Sequence, residues 1–382
     1  MECYLDCAAT TKVYPETIAQ IAEDLKNFYN PSALYENAQN NKNKIQIARQ
    51  KIAKSIRAKE SEIFFTSCGT ESNNWVLKCF PYTPEKNHII TSTIEHHSVL
   101  RTCEQLKQAN LVDVTYIQPN SYGVLSIEDI QNAIQPNTAL ISIMTINNVL
   151  GTIQPIKEIG DLCNKLNIAF HTDAVQAVGH IPINVKNLHI DFLSCSGHKI
   201  HAPKGCGFLY CNSKYTPYLK NLLCGGGQEF GHRAGTENIP YITALANCVE
   251  SSCANIPSFI KETRIIQSYL LSRLTAEFSN IHLNGTYQKK YRVSSNINIA
   301  FADITADVLV MCLSEYGILA SEGSACDTGN LDVNYVLQAI GVSNDYIEGG
   351  LRLTFDETLT IEQCDYFVES LKKILLTIRG YI

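Results

Sequence analysis

Ser196-Gly197-His198-Lys199 follows the run Ile190-Asp191-Phe192-Leu193-Ser194-Cys195, and His171-Thr172-Asp173 closes a similar run that begins at Ile168. Both runs read as short buried strands that end in polar residues. An acid at the end of one strand and a lysine just past the next suit a pyridoxal phosphate site. The lysine amine would form a Schiff base there, and the aspartate would keep the pyridinium nitrogen protonated so that the ring acts as an electron sink. Ser196 and His198 would reach the phosphate. A lone lysine after a strand is more often a surface residue, so the pair needs support from the rest of the chain.

The chain has 382 residues, 45% of them hydrophobic, which is enough for a large core and points to two domains. The net charge is −6 and no basic cluster stands out, so no direct nucleic-acid binding is expected. No run of about 18 apolar residues occurs, and Met1-Glu2-Cys3-Tyr4-Leu5-Asp6 lacks a basic-then-apolar signal, so no membrane association is expected. Fifteen cysteines at irregular spacing fit free thiols in a reducing cytoplasm. Cys-x-x-Cys is absent, and no metal site is expected.

Apolar residues at helical spacing (Ile45, Ala48, Ile52, Ile56) predict a helix over 43–57. Strands are predicted at 62–66, 88–93, 112–117, 138–146 and 207–212, with helices between most of them. That alternation means a mostly parallel sheet covered by helices. After about 255 the texture changes. A long helix is predicted over 258–278, strands near 295–301 and 351–355, and a helix over 305–316. The final helix opens on the capping-box pair Thr360 and Gln363 and carries Phe367, Leu371, Ile374 and Ile378 on one face.

Four features strengthen the cofactor reading. Gly69-Thr70 sits at a strand-to-helix junction, where backbone amides and the helix dipole attract an anion such as phosphate. Glu95-His96-His97-Ser98 follows a strand directly, and a histidine there can lie over an aromatic cofactor and shuttle protons. Asn147-Asn148 and Gln176 offer amides for a phenolate oxygen or a substrate carboxylate. Ser321 to Gly329 is a run of small and polar residues that reads as a mobile loop carrying one thiol, Cys326. Taken singly, these are ordinary caps, turns and an inert thiol.

In order along the chain, Tyr4-Leu5-Asp6-Cys7-Ala8-Ala9-Thr10-Thr11, Thr66-Ser67-Cys68-Gly69-Thr70-Glu71-Ser72-Asn73-Asn74, Glu95-His96, Asn147-Asn148, His171-Thr172-Asp173-Ala174-Val175-Gln176, Ser196-Gly197-His198-Lys199, Arg233-Ala234-Gly235-Thr236 and Gly323-Ser324-Ala325-Cys326 resemble the cysteine desulfurases of the NifS/IscS type, class V aminotransferase-like enzymes. The match covers residues 4 to about 378. The resemblance implies an α/β protein of the fold type I, aminotransferase-like class. Its large domain, 13–255, would hold a mostly parallel seven-stranded sheet. A smaller α+β domain would join 1–12 to 256–382 and carry the cysteine loop, about 321–333.

The resemblance also implies roles. Lys199 resembles the Schiff-base lysine, Asp173 the partner of the pyridine nitrogen, and His96 the stacked imidazole and candidate acceptor of a thiol proton. Gly69, Thr70, Ser196 and His198 resemble phosphate ligands, and Gln176 the phenolate ligand. Thr236 resembles a phosphate ligand donated by the second subunit of a homodimer. Asn148 and Arg352 resemble the clamp on the carboxylate of L-cysteine, and Cys326 the sulfur-accepting nucleophile. Sulfur would pass to an acceptor protein such as an iron–sulfur scaffold.

Val149, Phe230, Cys68 and Gly349-Gly350 depart from the family pattern. Rival readings are a selenocysteine lyase, an aminotransferase or an inactive scaffold of the same fold. The Gly-Ser-Ala-Cys run favours the desulfurase, and intact Lys199, Asp173, His96 and Cys326 argue against the scaffold.

Overall fold

The computed structural model of the chain describes residues 1–286, 288–302, 304–322 and 334–379. Cys326 and most of the expected loop therefore lie outside the described residues. The strands are β1 (Cys3–Tyr4), β2 (Ile63–Thr66), β3 (His88–Ser92), β4 (Asp113–Ile117), β5 (Thr138–Ser142), β6 (Ala169–Asp173), β7 (Phe192–Ser196), β8 (Gly207–Cys211), β9 (Ile281–Leu283), β10 (Asn296–Phe301), β11 (Ile318–Leu319) and β12 (Gly350–Thr354). The helices that matter most here are α1 (Pro15–Asp24), α2 (Glu36–Ile56), α3 (Gly69–Cys79), α4 (His97–Gln108), α5 (Ile127–Asn132), α6 (Ile156–Leu166) and α7 (Ile239–Glu277).

Seven strands form one sheet in the order β2-β8-β7-β6-β5-β3-β4. β8 runs antiparallel to both β2 and β7, and the other neighbours are parallel. Six of these strands, all but β4, are buried along their whole length. Burial on both faces is what their near-continuous apolar runs require. Ile52, Ile141, Phe170, Phe208 and Leu245 fill the core on one face, and Trp75, Leu77, Val99, Phe192 and Leu209 fill the other. Because β2, β3, β5, β6 and β7 point the same way, their carboxyl ends share one edge, where α/β sheets place their ligands.

A second apolar cluster gathers Leu270, Ile297, Leu351, Leu353, Phe367 and Leu371 around the three-stranded antiparallel sheet β12-β10-β9. The C-terminal helix, Ile361–Arg379, opens on the capping box read from sequence. Thr360 N–H donates to Gln363 Oε1 at 2.9 Å, and Gln363 N–H to Thr360 Oγ1 at 3.3 Å.

One element differs from expectation. The texture change at 255 predicts a helix over 258–278, whereas α7 runs unbroken across 39 residues with Pro257 inside it. A mid-helix proline costs a hydrogen bond. Packing outweighs that loss: Ile242 and Leu245 pin one half in the large-sheet core, and Leu270 and Leu274 pin the other in the second cluster.

The N-terminal segment ties these parts together. β1 pairs in parallel with β11. Cys7 N–H donates to the Thr354 carbonyl at 3.1 Å, Thr354 N–H to the Leu5 carbonyl at 2.8 Å, and Thr11 N–H to the His198 carbonyl at 2.8 Å.

Gly349, one of the departures from the family pattern, has a packing reason. A Cβ there would lie 2.0 Å from the Phe301 carbonyl oxygen and 2.8 Å from that of Ile304. These backbone atoms cannot swing aside, so Gly349→Ala should destabilise the protein by about 2 kcal/mol or more. Urea unfolding monitored by circular dichroism measures this, and an unchanged midpoint would contradict the geometry.

Candidate active site

At the shared carboxyl edge the strands deliver their polar tips into one cavity of about 360 Å³. It is lined by Gly69, Thr70, His96, Asn148, Asp173, Gln176, Ser196, His198, Lys199 and Arg352, all read from sequence as site residues. Three further expectations fall elsewhere. Thr236 is exposed and does not line this cavity. Asn147 is structural: Nδ2 donates to the Ile94 carbonyl, and Oδ1 accepts from Val149 and Leu150 N–H. Cys326 is outside the described residues.

Lys199 lies in the turn after β7, and Nζ donates to the Ala8 and Ala9 carbonyls, each at 2.7 Å. Gln176 Nε2 donates to the same Ala8 oxygen at 3.0 Å. Asp173 ends β6 and is 6% exposed. Its Oδ2 accepts from Asn73 Nδ2 at 2.7 Å and its Oδ1 from Val175 N–H at 3.0 Å. Asn73 also donates to Ser98 Oγ at 2.8 Å, and Ser98 Oγ lies 2.7 Å from His96 Nδ1. Ser98 N–H donates to that nitrogen at 3.1 Å, so His96 caps α4 with its ring. Because Nδ1 accepts, the neutral ring carries its proton on Nε2.

An anion cradle sits at the start of α3. The first-turn amides of a helix have no partners within it. Cys68, the N-cap, supplies no capping side-chain bond. Gly69 is needed because a Cβ there would lie 2.4 Å from Val175 Cγ2. Ser196, 3% exposed, has a buried Oγ with no hydrogen-bond partner, and so does the buried Asn148 Oδ1. Burial, then Lys199 and Lys204, depress the His198 pKa to about 4, leaving a neutral ring at neutral pH. An orphaned hydroxyl, open helix amides and a buried acid together fit a phosphorylated pyridine such as pyridoxal phosphate.

Sequence reasoning did not assign the Ala8 and Ala9 carbonyls, Asn73, Ser98 or Tyr335. Asn73 and the alanines lie inside quoted motifs, but only the fold brings them to Asp173 and Lys199. Tyr335 lines the cavity and donates its hydroxyl to the Glu95 carbonyl at 2.7 Å. Nothing local to residue 335 signals that. Of the departures, Val149 is buried and its carbonyl accepts from Asn296 and Asn298. Phe230 has a left-handed φ of 57° and lies over the Arg49 guanidinium.

Glu95 is fully buried next to the site, and burial raises its pKa to about 8 against the pull of Met144 N–H and Ser92 Oγ. The folded protein then keeps this proton where the unfolded chain has lost it, so this carboxyl's stabilising contribution fades as pH rises from about 4.5 to 8. Glu95→Gln, which mimics the protonated acid, should gain on wild type over that interval. Unfolding free energies at pH 5 and pH 8 test it, and a pH-independent difference would show that Glu95 is ionised in the fold.

Comparison with known proteins agrees with this geometry. A family model described as aminotransferase class-V matches residues 3–367. The chain is 41% identical over 377 residues to the cysteine desulfurase IscS of Clostridium botulinum strain Hall, covering 98% of this chain and 94% of that protein. It is 43% identical over 380 residues to the cysteine desulfurase IscS of Methanosarcina thermophila, covering 99% and 93%. Among solved structures, a NifS-like protein superposes with a TM-score of 0.91 at 33% identity, covering 98% of this chain and 99% of that one. SspA in complex with cysteine gives 0.81 at 36% identity, covering 92% and 98%.

Proposed function

Because the chain belongs to the aminotransferase class-V family and is a cysteine desulfurase, we propose that this cavity takes sulfur from L-cysteine, releases L-alanine and leaves the sulfur on Cys326. Pyridoxal phosphate is the cofactor, and when bound it supplies an electron sink for the pair left on the substrate Cα. One observation carries the site assignment: Lys199, Asp173, His96, Asn148 and Arg352 come from five separate elements and open into one cavity.

Each side chain then has a task. Lys199 would hold the cofactor through Nζ, and its amine would move the Cα proton. Asp173, fixed by Asn73, would be the partner of the ring nitrogen. The Gly69 and Thr70 amides, Ser196 Oγ and His198 would hold the phosphate, and Gln176 the phenolate oxygen. Asn148 and Arg352 orient the substrate carboxylate. The Cys326 thiolate attacks the substrate sulfur, and the carbon–sulfur bond breaks with its electron pair left on carbon. That carbon takes up one proton, Cα regains the proton it lost, and the product leaves as alanine. The sequence makes His96 the acceptor of the thiol proton. Donation from Ser98 to Nδ1 supports a donor at Nε2 in the neutral ring instead.

Further parts of the reading concern organisation. The units are 13–255 and 1–12 with 256–382, supported by the separate apolar clusters and bridged by α7. Thr236, exposed and apart from its own chain's cavity, would serve the phosphate site of a second copy in a homodimer. Among the described residues no helix is long and apolar enough to cross a membrane. The protein would work in the cytoplasm and hand sulfur to an acceptor protein such as an iron–sulfur scaffold.

Borohydride reduction and peptide mapping should find the cofactor on Lys199, and a label on another lysine would refute the assignment. Cys326→Ser should keep the yellow cofactor and lose sulfide release by at least about 100-fold. Mass spectrometry after one turnover should find added sulfur on the peptide with Cys326. Near wild-type sulfide release by the serine variant would remove Cys326 from the reaction.

Sedimentation should show a dimer at working concentrations, with Thr236→Ala weakening cofactor retention. A fully active monomer would rule out the shared site.

A further inference from the structure

The guanidinium of Arg352 already meets a carboxylate of its own chain. Nη2 donates to Asp6 Oδ1 at 2.8 Å, and Nη1 to the Asn148 carbonyl at 3.2 Å. The arginine side chain is 3% exposed and that of Asp6 20%. Asp6 does not line the cavity, whereas Arg352 does. The acid stands on a fixed turn, for its carbonyl accepts from Ala9 N–H at 3.0 Å and from the Tyr4 hydroxyl at 3.2 Å. Arg352 is fixed from the other side as well: its N–H donates to the Ser321 carbonyl at 2.7 Å, just before the segment that carries Cys326.

We infer that Asp6 is a positioning residue that sets the strength of the substrate-carboxylate site by orienting the Arg352 guanidinium and offsetting part of its charge. The inference rests on the proposed role of Arg352 as the carboxylate clamp. A guanidinium has five N–H donors, so one arginine can serve two carboxylates at once. The second carboxylate binds a cation already partly neutralised, and at low exposure that charge is weakly screened. L-cysteine and L-alanine carry the same α-carboxylate. A site that lost the Asp6 charge but kept the guanidinium oriented would grip substrate and product alike, lowering KM while slowing release.

Two substitutions separate charge from geometry. Asp6→Asn leaves an oxygen that accepts from Nη2 but removes the charge. Asp6→Ala removes both, so the guanidinium loses its fixed plane. In the cofactor-loaded enzyme, Asp6→Asn should lower KM for L-cysteine and tighten L-alanine binding by roughly three- to tenfold, the gap between a neutral and a charge-assisted hydrogen bond. Its kcat should fall. Asp6→Ala should leave KM at or above the wild-type value.

L-alanine binding, followed by its perturbation of the cofactor absorbance, reads the Arg352 site without turnover. It separates failure of this inference from failure of the desulfurase assignment. An Asp6→Asn protein that binds L-alanine no tighter than wild type overturns the inference, as does an Asp6→Ala protein that tightens equally. If Asp6→Asn does not fold, Asp6→Glu keeps the charge but displaces it. It should weaken L-alanine binding, and unchanged binding overturns the inference.

Discussion

The hydrogen bonds that Thr11 gives to the His198 carbonyl, through its N–H at 2.8 Å and its hydroxyl at 3.1 Å, anchor the rest of the site. They fix the turn that carries Lys199 to a strap of chain that elsewhere pairs with β11 and β12. The same Thr11 hydroxyl accepts from His201 N–H at 2.7 Å, closing the turn from its far side. The strap passes over the cavity between these anchors, and its Ala8 and Ala9 carbonyls meet Lys199 there. A backbone segment held at both ends can present carbonyls and a carboxylate at fixed points, which a free terminus could not do. The lysine from the large sheet and the arginine from the small one are therefore placed against one common strip of backbone.

Electrostatics explains why the cavity suits an anionic ligand. The cavity gathers Lys199 and Arg352, helix amides at Gly69 and Thr70, and a neutral His198. Asp173 also lines the cavity, tied by Asn73 and Val175 N–H, whereas Asp6 lies outside it and pairs with Arg352. On the proposed reading, Asp173 serves a ring nitrogen, Lys199 holds the cofactor and Arg352 takes a carboxylate. Glu95, fully buried beside them, holds its proton and so adds no competing charge at neutral pH. Further inside β6, the buried His171 bonds Ser142 and Ser194 through its two ring nitrogens, and burial lowers its pKa to about 3. Neutral groups behind the site keep the charged ones dominant.

Much of this was legible along the chain. The apolar runs read at 62–66, 88–93, 138–146, 168–173 and 190–195 overlap β2, β3, β5, β6 and β7 because burial on both faces demands them. Polar tips right after them mark the site because parallel strands share a carboxyl edge. The capping box at Thr360 and Gln363 is local chemistry, and the structure makes both of its bonds. The helix expected over 258–278 begins far earlier, at Ile239, for a physical reason: local propensity loses to packing when two cores hold the two halves of one helix.

The sequence by itself singled out the candidate site residues. Asp173 and Ser196 end strands, and Lys199, His96 and Gly69-Thr70 lie just past strands, so their position in the pattern fixes the edge they reach. Only the tertiary structure decided what holds them. Asn73 reaches Asp173 across 100 positions of sequence, Ala8 reaches Lys199 across 191, and Asp6 reaches Arg352 across 346. Hydrophobic period and turn chemistry extend over a few residues, so they can specify a strand and its tip. Contacts between distant segments depend on how two separate cores and one terminal strap are brought together, and no local pattern encodes that.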